Sequence, residues 1–320
     1  MPLIESTYKA PSLFLNRHVA TVYSAKLRRA PSVRYTRERF TTPDNDFVDL
    51  DWLMANAPSN RIAVMLHGLE GNSNRTYMRG CAHYLSSHGW NVVAVNFRGC
   101  SGMPNLNYKS YNAGITDDLD AIVRYIDGMK QFKEIALVGF SLGGNLLLKY
   151  LGEGRTLVSS VSKGVAVSAP LDLKGSLARL SESQNWLYRT KFLLDLKKKL
   201  KDKWRRFPEM QGAITLSQIN SLLDFDNAYT APAHGFEDAY DYYAKSSSLF
   251  YLEKIAHPVL ILNAKNDSFL SPNCFPSNIA EQSSNIYLES PDHGGHVAFI
   301  SRQAAYYNEQ STLTFLNERR

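Results

Sequence analysis

The 320-residue chain contains no long apolar run. A bilayer-spanning helix needs about 18 or more consecutive apolar residues, whereas the best candidates here are strand-sized stretches such as Ile62–Leu66. The N-terminal segment offers only a short uncharged run, Pro11–Leu15, where an export signal needs roughly 7–15 apolar residues. Cysteine is scarce as well. Cys81, Cys100 and Cys274 form no CxxC pair and no metal-ligand spacing, and their odd number argues against a disulfide framework. Together these absences predict a soluble protein, at most peripheral to a membrane, in a reducing cytoplasm. No internal repeat is present, and no low-complexity tract beyond one lysine cluster.

That cluster holds all the excess charge. Seven Lys/Arg and one Asp lie between Lys197 and Arg206, and the formal net charge of the whole chain is +6, so the remainder is balanced. Over residues 193–207, Leu193, Leu196, Leu200, Trp204 and Phe207 recur at helical spacing among the basic residues, which predicts a basic amphipathic helix. Its apolar stripe can pack on the rest of the protein. Its cations can face solvent, an acidic substrate group or the anionic surface of a membrane. One charged helix without a recognised binding module is a weak footprint for nucleic acid, and none is expected as a partner.

Behind the turn Pro43-Asp44-Asn45-Asp46, Val48, Leu50, Trp52 and Met54 alternate with Asp49 and Asp51, predicting an antiparallel hairpin with one wet face. Strand-length apolar runs follow at Ile62–Leu66, Asn91–Phe97, Glu134–Phe140, Gly164–Ser168, Pro258–Asn263 and Asn285–Glu289. Helical patterns at Tyr77–Ser87 and Thr116–Met129 separate the first three, so the runs predict a mostly parallel central sheet built from βαβ units. A last helix is expected from about Val297. Over residues 171–246 the alternation stops and helical periodicity remains. This predicts one domain over residues 1–320 with a helical cap inserted above the carboxyl ends of the strands, where open α/β sheets bind ligands.

Gly139-Phe140-Ser141-Leu142-Gly143 matches G-x-S-x-G, a tight strand-to-helix turn that forces a serine into strained geometry while its glycines remove clashing side chains. The context fits: a strand enters at Glu134–Val138 and a helical pattern leaves at Gly144–Leu151. A serine needs a base within hydrogen-bond reach, itself oriented by a carboxylate, and around this type of turn the chain order is Ser, acid, His. Asp267, in the loop after Pro258–Asn263, is the expected acid, with Asp292 as the alternative. His18, His67, His83, His88, His234 and His257 precede Asp267, which leaves His293 and His296. His296 is the expected base because it adjoins the apolar run Val297–Ile300, taken as helical, while Gly294-Gly295 lets the loop approach Ser141. Two backbone donors are expected to form an oxyanion hole, the N–H of Leu142 after the nucleophile and that of Leu69 in His67-Gly68-Leu69-Glu70-Gly71. His67 is expected to brace that loop.

The chain resembles the YheT-like branch of the α/β-hydrolase superfamily, whose plant and animal relatives are described as esterases or phospholipases. The resemblance is carried by Arg37–Trp52, Asn96-Phe-Arg-Gly-Cys-Ser-Gly102, Gly139–Asn145, Phe225–Phe236 and His293-Gly-Gly-His-Val297, and so extends over nearly the whole chain. It implies the α/β-hydrolase fold and a nucleophile, acid and base at Ser141, Asp267 and His296, the residues reached above. The chain departs from the family pattern at Asn16–Thr21, so no substrate role is assigned to that arm. It departs again at Asn266-Asp267, where relatives often carry two successive acids and here only Asp267 can ionise. The expected activity is hydrolysis of a small-molecule carboxylic ester, short-to-medium acyl or lipid-like, through an acyl-enzyme on Ser141, with no metal or other cofactor required. Acyl transfer to an alcohol by the same triad, or an idle scaffold that binds a ligand or partner, are the alternatives.

Overall fold

A computed structural model describes residues 3–318; of the domain expected over residues 1–320, positions 1, 2, 319 and 320 lie outside those described. Nine strands form one sheet: β1 (Leu3–Ile4), β2 (Thr36–Thr41), β3 (Phe47–Leu53), β4 (Arg61–Leu66), β5 (Asn91–Asn96), β6 (Glu134–Phe140), β7 (Val161–Val167), β8 (Val259–Leu262) and β9 (Ile286–Glu289). Their spatial order is β1-β9-β8-β7-β6-β4-β5-β3-β2. Every neighbouring pair from β1 to β5 is parallel, while β3 and β2 are added antiparallel. The fold is thus an α/β-hydrolase sheet with an antiparallel hairpin at one edge.

The central strands are apolar on both faces because both faces are covered. Ile62, Val64, Leu66, Ile135 and Leu137 look toward α3 (Asp117–Gly128) and α4 (Leu142–Gly152). Ala63, Met65, Ala136 and Val138 look toward α2 (Thr76–Ser87) and the C-terminal helix Tyr307–Asn317. The arm before β2 carries a short helix, α1 (Arg17–Val22), whose first turn is capped by Asn16: its side-chain oxygen accepts from His18 N–H and Val19 N–H.

Between β7 and β8 the chain leaves the sheet. It runs through α5 (Leu173–Ser181), the 21-residue α6 (Trp186–Arg206), α7 (Leu222–Phe225), α8 (Ala231–His234) and α9 (Ala239–Ser246), with no strand among the described residues of this excursion. A separate small core of Leu200, Trp204, Ile219, Phe225, Tyr229 and Ala233 holds it together. No helix among the described residues is long and apolar enough to cross a membrane.

Two expectations are corrected. The hairpin has no wet face at Asp49 and Asp51, both about 1% exposed. β3 is paired on both sides, and Arg39 and Arg37 of β2 form two-pronged bonds to Asp49 and Asp51. Ser73 and Asn96 also donate to Asp51, so these carboxylates are buried with partners, the condition under which a buried charge is tolerated. The last helix, α11, starts at Tyr307 after α10 (Ser277–Gln282) and β9, not near Val297. Val297 sits at φ +53°, which breaks a helix. Val297 and Phe299 enter one core cluster while Ala298 and Ile300 enter another, so the run has a period of two rather than a helical one.

Candidate active site

β6 ends at Phe140 and α4 begins at Leu142, leaving Ser141 alone to turn the chain. It does so at φ +53°, ψ −120°, a conformation that costs a non-glycine residue free energy and persists only under outside constraint. The constraint is visible. Ser141 N–H donates to Val167 C=O at 2.9 Å, and Ser141 C=O receives Gly144 N–H at 2.9 Å. The glycine at 143 is obligatory: a Cβ there would stand 2.5 Å from Leu66 C=O oxygen and 2.7 Å from that of His67.

Ser141 Oγ lies 3.0 Å from His296 Nε2, and His296 Nδ1 lies 2.8 Å from Asp267 Oδ2. A carboxylate only accepts, so Nδ1 carries the proton and Nε2 is left to accept from the serine hydroxyl. Asp267, in the loop after β8, is 3% exposed and its second oxygen accepts Phe269 N–H at 2.9 Å. The Phe269 ring lies against His296 with centroids 4.2 Å apart. The alternative acid, Asp292, is exposed and paired with Lys265 at 2.8 Å. His293 meets Asn266 at 3.3 Å, while Asn266 accepts Gly295 N–H at 3.0 Å; both residues shape the loop.

The loop after β4 supplies the second wall. Gly68 N–H donates to Tyr77 Oη, Glu70 N–H to Tyr111 Oη and Gly71 N–H to Gly68 C=O. The N–H of Leu69 alone in this turn has no acceptor among the described residues, and Leu142 N–H, at the start of α4, has none either. Both residues line one cavity with Ser141 and His296. His67 braces the loop as expected: Nδ1–H donates to Gly68 C=O at 2.8 Å and Nε2 accepts Phe97 N–H at 3.1 Å. Burial pushes this imidazole down to about 3, so it is neutral.

The cavity has a volume of about 410 Å³ and lies between the strand ends and the helical excursion. Leu173, Leu177, Phe192, Leu196 and Phe225 give it apolar walls; Lys199, Lys203 and Arg206 of α6 also border it. Among the described residues no group of His, Cys, Asp and Glu could hold a metal ion.

Sequence reasoning missed three contacts that fix the main chain around His296. His296 N–H donates to Thr21 Oγ at 2.9 Å, Thr21 hydroxyl donates to Arg17 C=O at 2.7 Å, and Val297 N–H donates to Ser168 Oγ at 3.0 Å. The only sequence signal for the first was the Asn cap at 16 opening α1. Nothing in the sequence links position 168 to 297.

A family model for the alpha/beta hydrolase fold matches residues 64–303. YheT of Escherichia coli (strain K12) is 35% identical over 90% of this chain and 85% of its own length. Phospholipase ABHD3 of Mus musculus is 28% identical over 95% of this chain and 77% of its own. Among solved structures, the Pyrococcus furiosus esterase Pf2001 superposes with a TM-score of 0.60 at 20% identity, covering 88% of this chain and 90% of that one.

Proposed function

This chain belongs to the YheT-like branch of the α/β-hydrolase superfamily, and from that membership we propose that it is a serine hydrolase cleaving carboxylic esters through an acyl-enzyme. The observation that carries the reading is the continuous line of hydrogen bonds from Ser141 Oγ through His296 to Asp267. In the proposed reaction, Ser141 Oγ attacks the ester carbonyl as its proton passes to His296 Nε2, and Asp267 stabilises the imidazolium. The N–H groups of Leu69 and Leu142 receive the tetrahedral oxyanion. His296 then gives the proton to the departing alcohol. Water, deprotonated in turn by His296, releases the acid and restores the serine.

The apolar walls of the cavity favour an aliphatic acyl group, and its volume lies in the ordinary range of small-molecule sites. The names of YheT and ABHD3, an esterase and a phospholipase, support ester chemistry on this scaffold. The test is turnover of p-nitrophenyl esters, acetate to palmitate, without added metal, together with labelling by a fluorophosphonate. Ser141→Ala is expected to lower kcat by about 10⁴–10⁶-fold in a folded protein and to abolish labelling. Wild-type turnover in that variant would remove Ser141 from the role of nucleophile.

A further inference from the structure

Gly71 N–H donates to Gly68 C=O at 2.9 Å, closing a four-residue turn whose third residue, Glu70, has φ +53°. Turn chemistry gives that left-handed position to glycine or asparagine. A glutamate there is uphill for the local backbone and has to be held by its contacts. The N–H, the C=O and one carboxylate oxygen of Glu70 are all engaged. Its N–H donates to Tyr111 Oη at 2.8 Å, its C=O accepts from the Arg75 guanidinium, and Oε1 accepts from Tyr111 Oη at 2.7 Å and from Lys199 Nζ at 2.8 Å.

Tyr111 borders the cavity, and Arg75 stands just before α2. Lys199 comes from α6, on the opposite side; its ammonium also meets Cys100 Sγ at 3.2 Å and lies 5.5 Å from the centre of the Tyr111 ring. The Glu70 side chain is 6% exposed and that of Lys199 33%. A carboxylate so nearly buried is tolerated only while it is paired.

We infer that Lys199 is a positioning residue: through Glu70 it holds the turn that presents the Leu69 N–H to the reacting carbonyl. The inference rests on the hydrolase reading above. Without Lys199, the Glu70 carboxylate keeps one hydroxyl donor and no cation, and the free energy that offsets the left-handed turn is lost. The turn relaxes, and a donor that must lie about 3 Å from the developing oxyanion moves off it. Because Lys199 also borders the cavity, seating α6 over a bound acyl chain and setting the oxyanion donor are one event.

The experiment compares wild type with Lys199→Met, Lys199→Gln and Lys199→Arg, and with Lys201→Met, an exposed neighbour on the same helix, as control. Two quantities are read: steady-state kinetics on p-nitrophenyl butyrate, and affinity for an alkyl trifluoromethyl ketone, whose serine adduct carries the oxyanion. The neutral variants are expected to lose about 10–100-fold in kcat, since loss of a whole oxyanion donor costs about 10²–10³-fold. KM is expected to stay within about twofold, and ketone affinity to fall by the same factor as kcat. Lys199→Arg and Lys201→Met are expected to remain near wild type. Lys199→Gln keeps a polar tip at a half-exposed site and is read in the same way should the Met variant fail to fold. Unchanged kcat and ketone affinity in the neutral variants would overturn the positioning role alone. So would a kcat loss without a matching loss of ketone affinity, or one shared by Lys201→Met. Absence of both turnover and ketone adduct in the wild-type protein would overturn the hydrolase reading and this inference together.

Discussion

Thr21 and His296, 275 positions apart, are joined by one hydrogen bond in which the backbone N–H of His296 donates to the threonine hydroxyl at 2.9 Å. The hydroxyl is aimed by its own donation to Arg17 C=O within α1. The arm between β1 and β2, which the family pattern left without a role, therefore fixes the main chain of His296. Thr21→Val preserves shape but leaves the His296 N–H without an acceptor. Since small misplacements of a reacting group are costly, kcat is expected to fall about 10-fold with KM little changed, and Thr21→Ser to restore most of it. Full activity in the valine variant would show that the other contacts hold His296 alone.

The two histidines of the last loop separate cleanly. His296 is hydrogen-bonded to both Ser141 and Asp267, whereas the His293 side chain is hydrogen-bonded to Asn266. His296→Ala is expected to abolish turnover and fluorophosphonate labelling alike, because only the base takes the serine proton. His293→Ala is expected to keep activity within about 10-fold of wild type. A dead His293 variant beside an active His296 variant, at matched folded concentration, would reverse the assignment.

His67 predicts how stability depends on pH. Buried and neutral, it is held at about 3, below the 6.5 of a free imidazole. Between those values the unfolded chain binds a proton that the folded chain refuses, so this contribution is fully present above pH 6.5 and lost as pH falls. The loss runs at about 1.4 kcal/mol per pH unit, reaching about 2 kcal/mol at pH 5. The buried Asp226 carboxyl, pushed up to about 6, acts in the opposite sense over this range, so the contribution is read as the difference between wild type and His67→Gln in urea titrations from pH 7 to pH 5. A His67→Gln variant should lose one proton from the slope. An identical slope in that variant would mean that other groups carry the acid sensitivity.

The site was legible in the sequence where chemistry is local. Glu134–Phe140 is bounded as expected, and Gly139–Gly143 form the turn that the motif requires. Asp267 and His296 followed from chain order around that turn. What escaped depended on partners distant in the chain. Asp49 and Asp51 alternate like a wet face, but the arginines that neutralise them lie on the adjacent strand and bury them. Val297–Ile300 reads as an apolar run of either period, and the positive φ of Val297 and the alternation of the run between two core clusters decide it. Glu70 and Lys199 are 129 residues apart, and no local pattern joins them.

The basic run of α6 illustrates the same limit and yields the last prediction. Lys197 donates to Ile219 C=O, Lys199 to Glu70, Lys203 to Asn105 Oδ1 and Arg206 to the carbonyls of Asn105 and Leu106. Lys203 is 6% exposed and burial brings its ammonium down to about 8. Four of the seven cations are thus tied to the protein, which leaves the exposed Lys198, Lys201 and Arg205; Lys201 and Arg205 stand clear of the cavity on the outer side of the helix, and Lys198 lies at its rim. Arg205 shares Asp202 at 3.1 Å. Leu187 and Leu194 are exposed on the same helix, at 56% and 61%. We propose that contact with an anionic membrane uses this outer face rather than the whole run. Each cation near such a surface contributes about 1 kcal/mol, so removing three is expected to lower partition onto phosphatidylglycerol vesicles about 100-fold at low salt. Raising salt should weaken wild-type binding, because the Debye length shrinks from about 10 Å at 0.1 M to about 3 Å at 1 M. The triple variant Lys198→Gln/Lys201→Gln/Arg205→Gln should melt near wild type. Lys203→Met should melt lower, since it strips Asn105 Oδ1 and Asn107 C=O of a buried donor. Sedimentation with vesicles unaltered by the triple substitution would assign the outer cations to solvent alone.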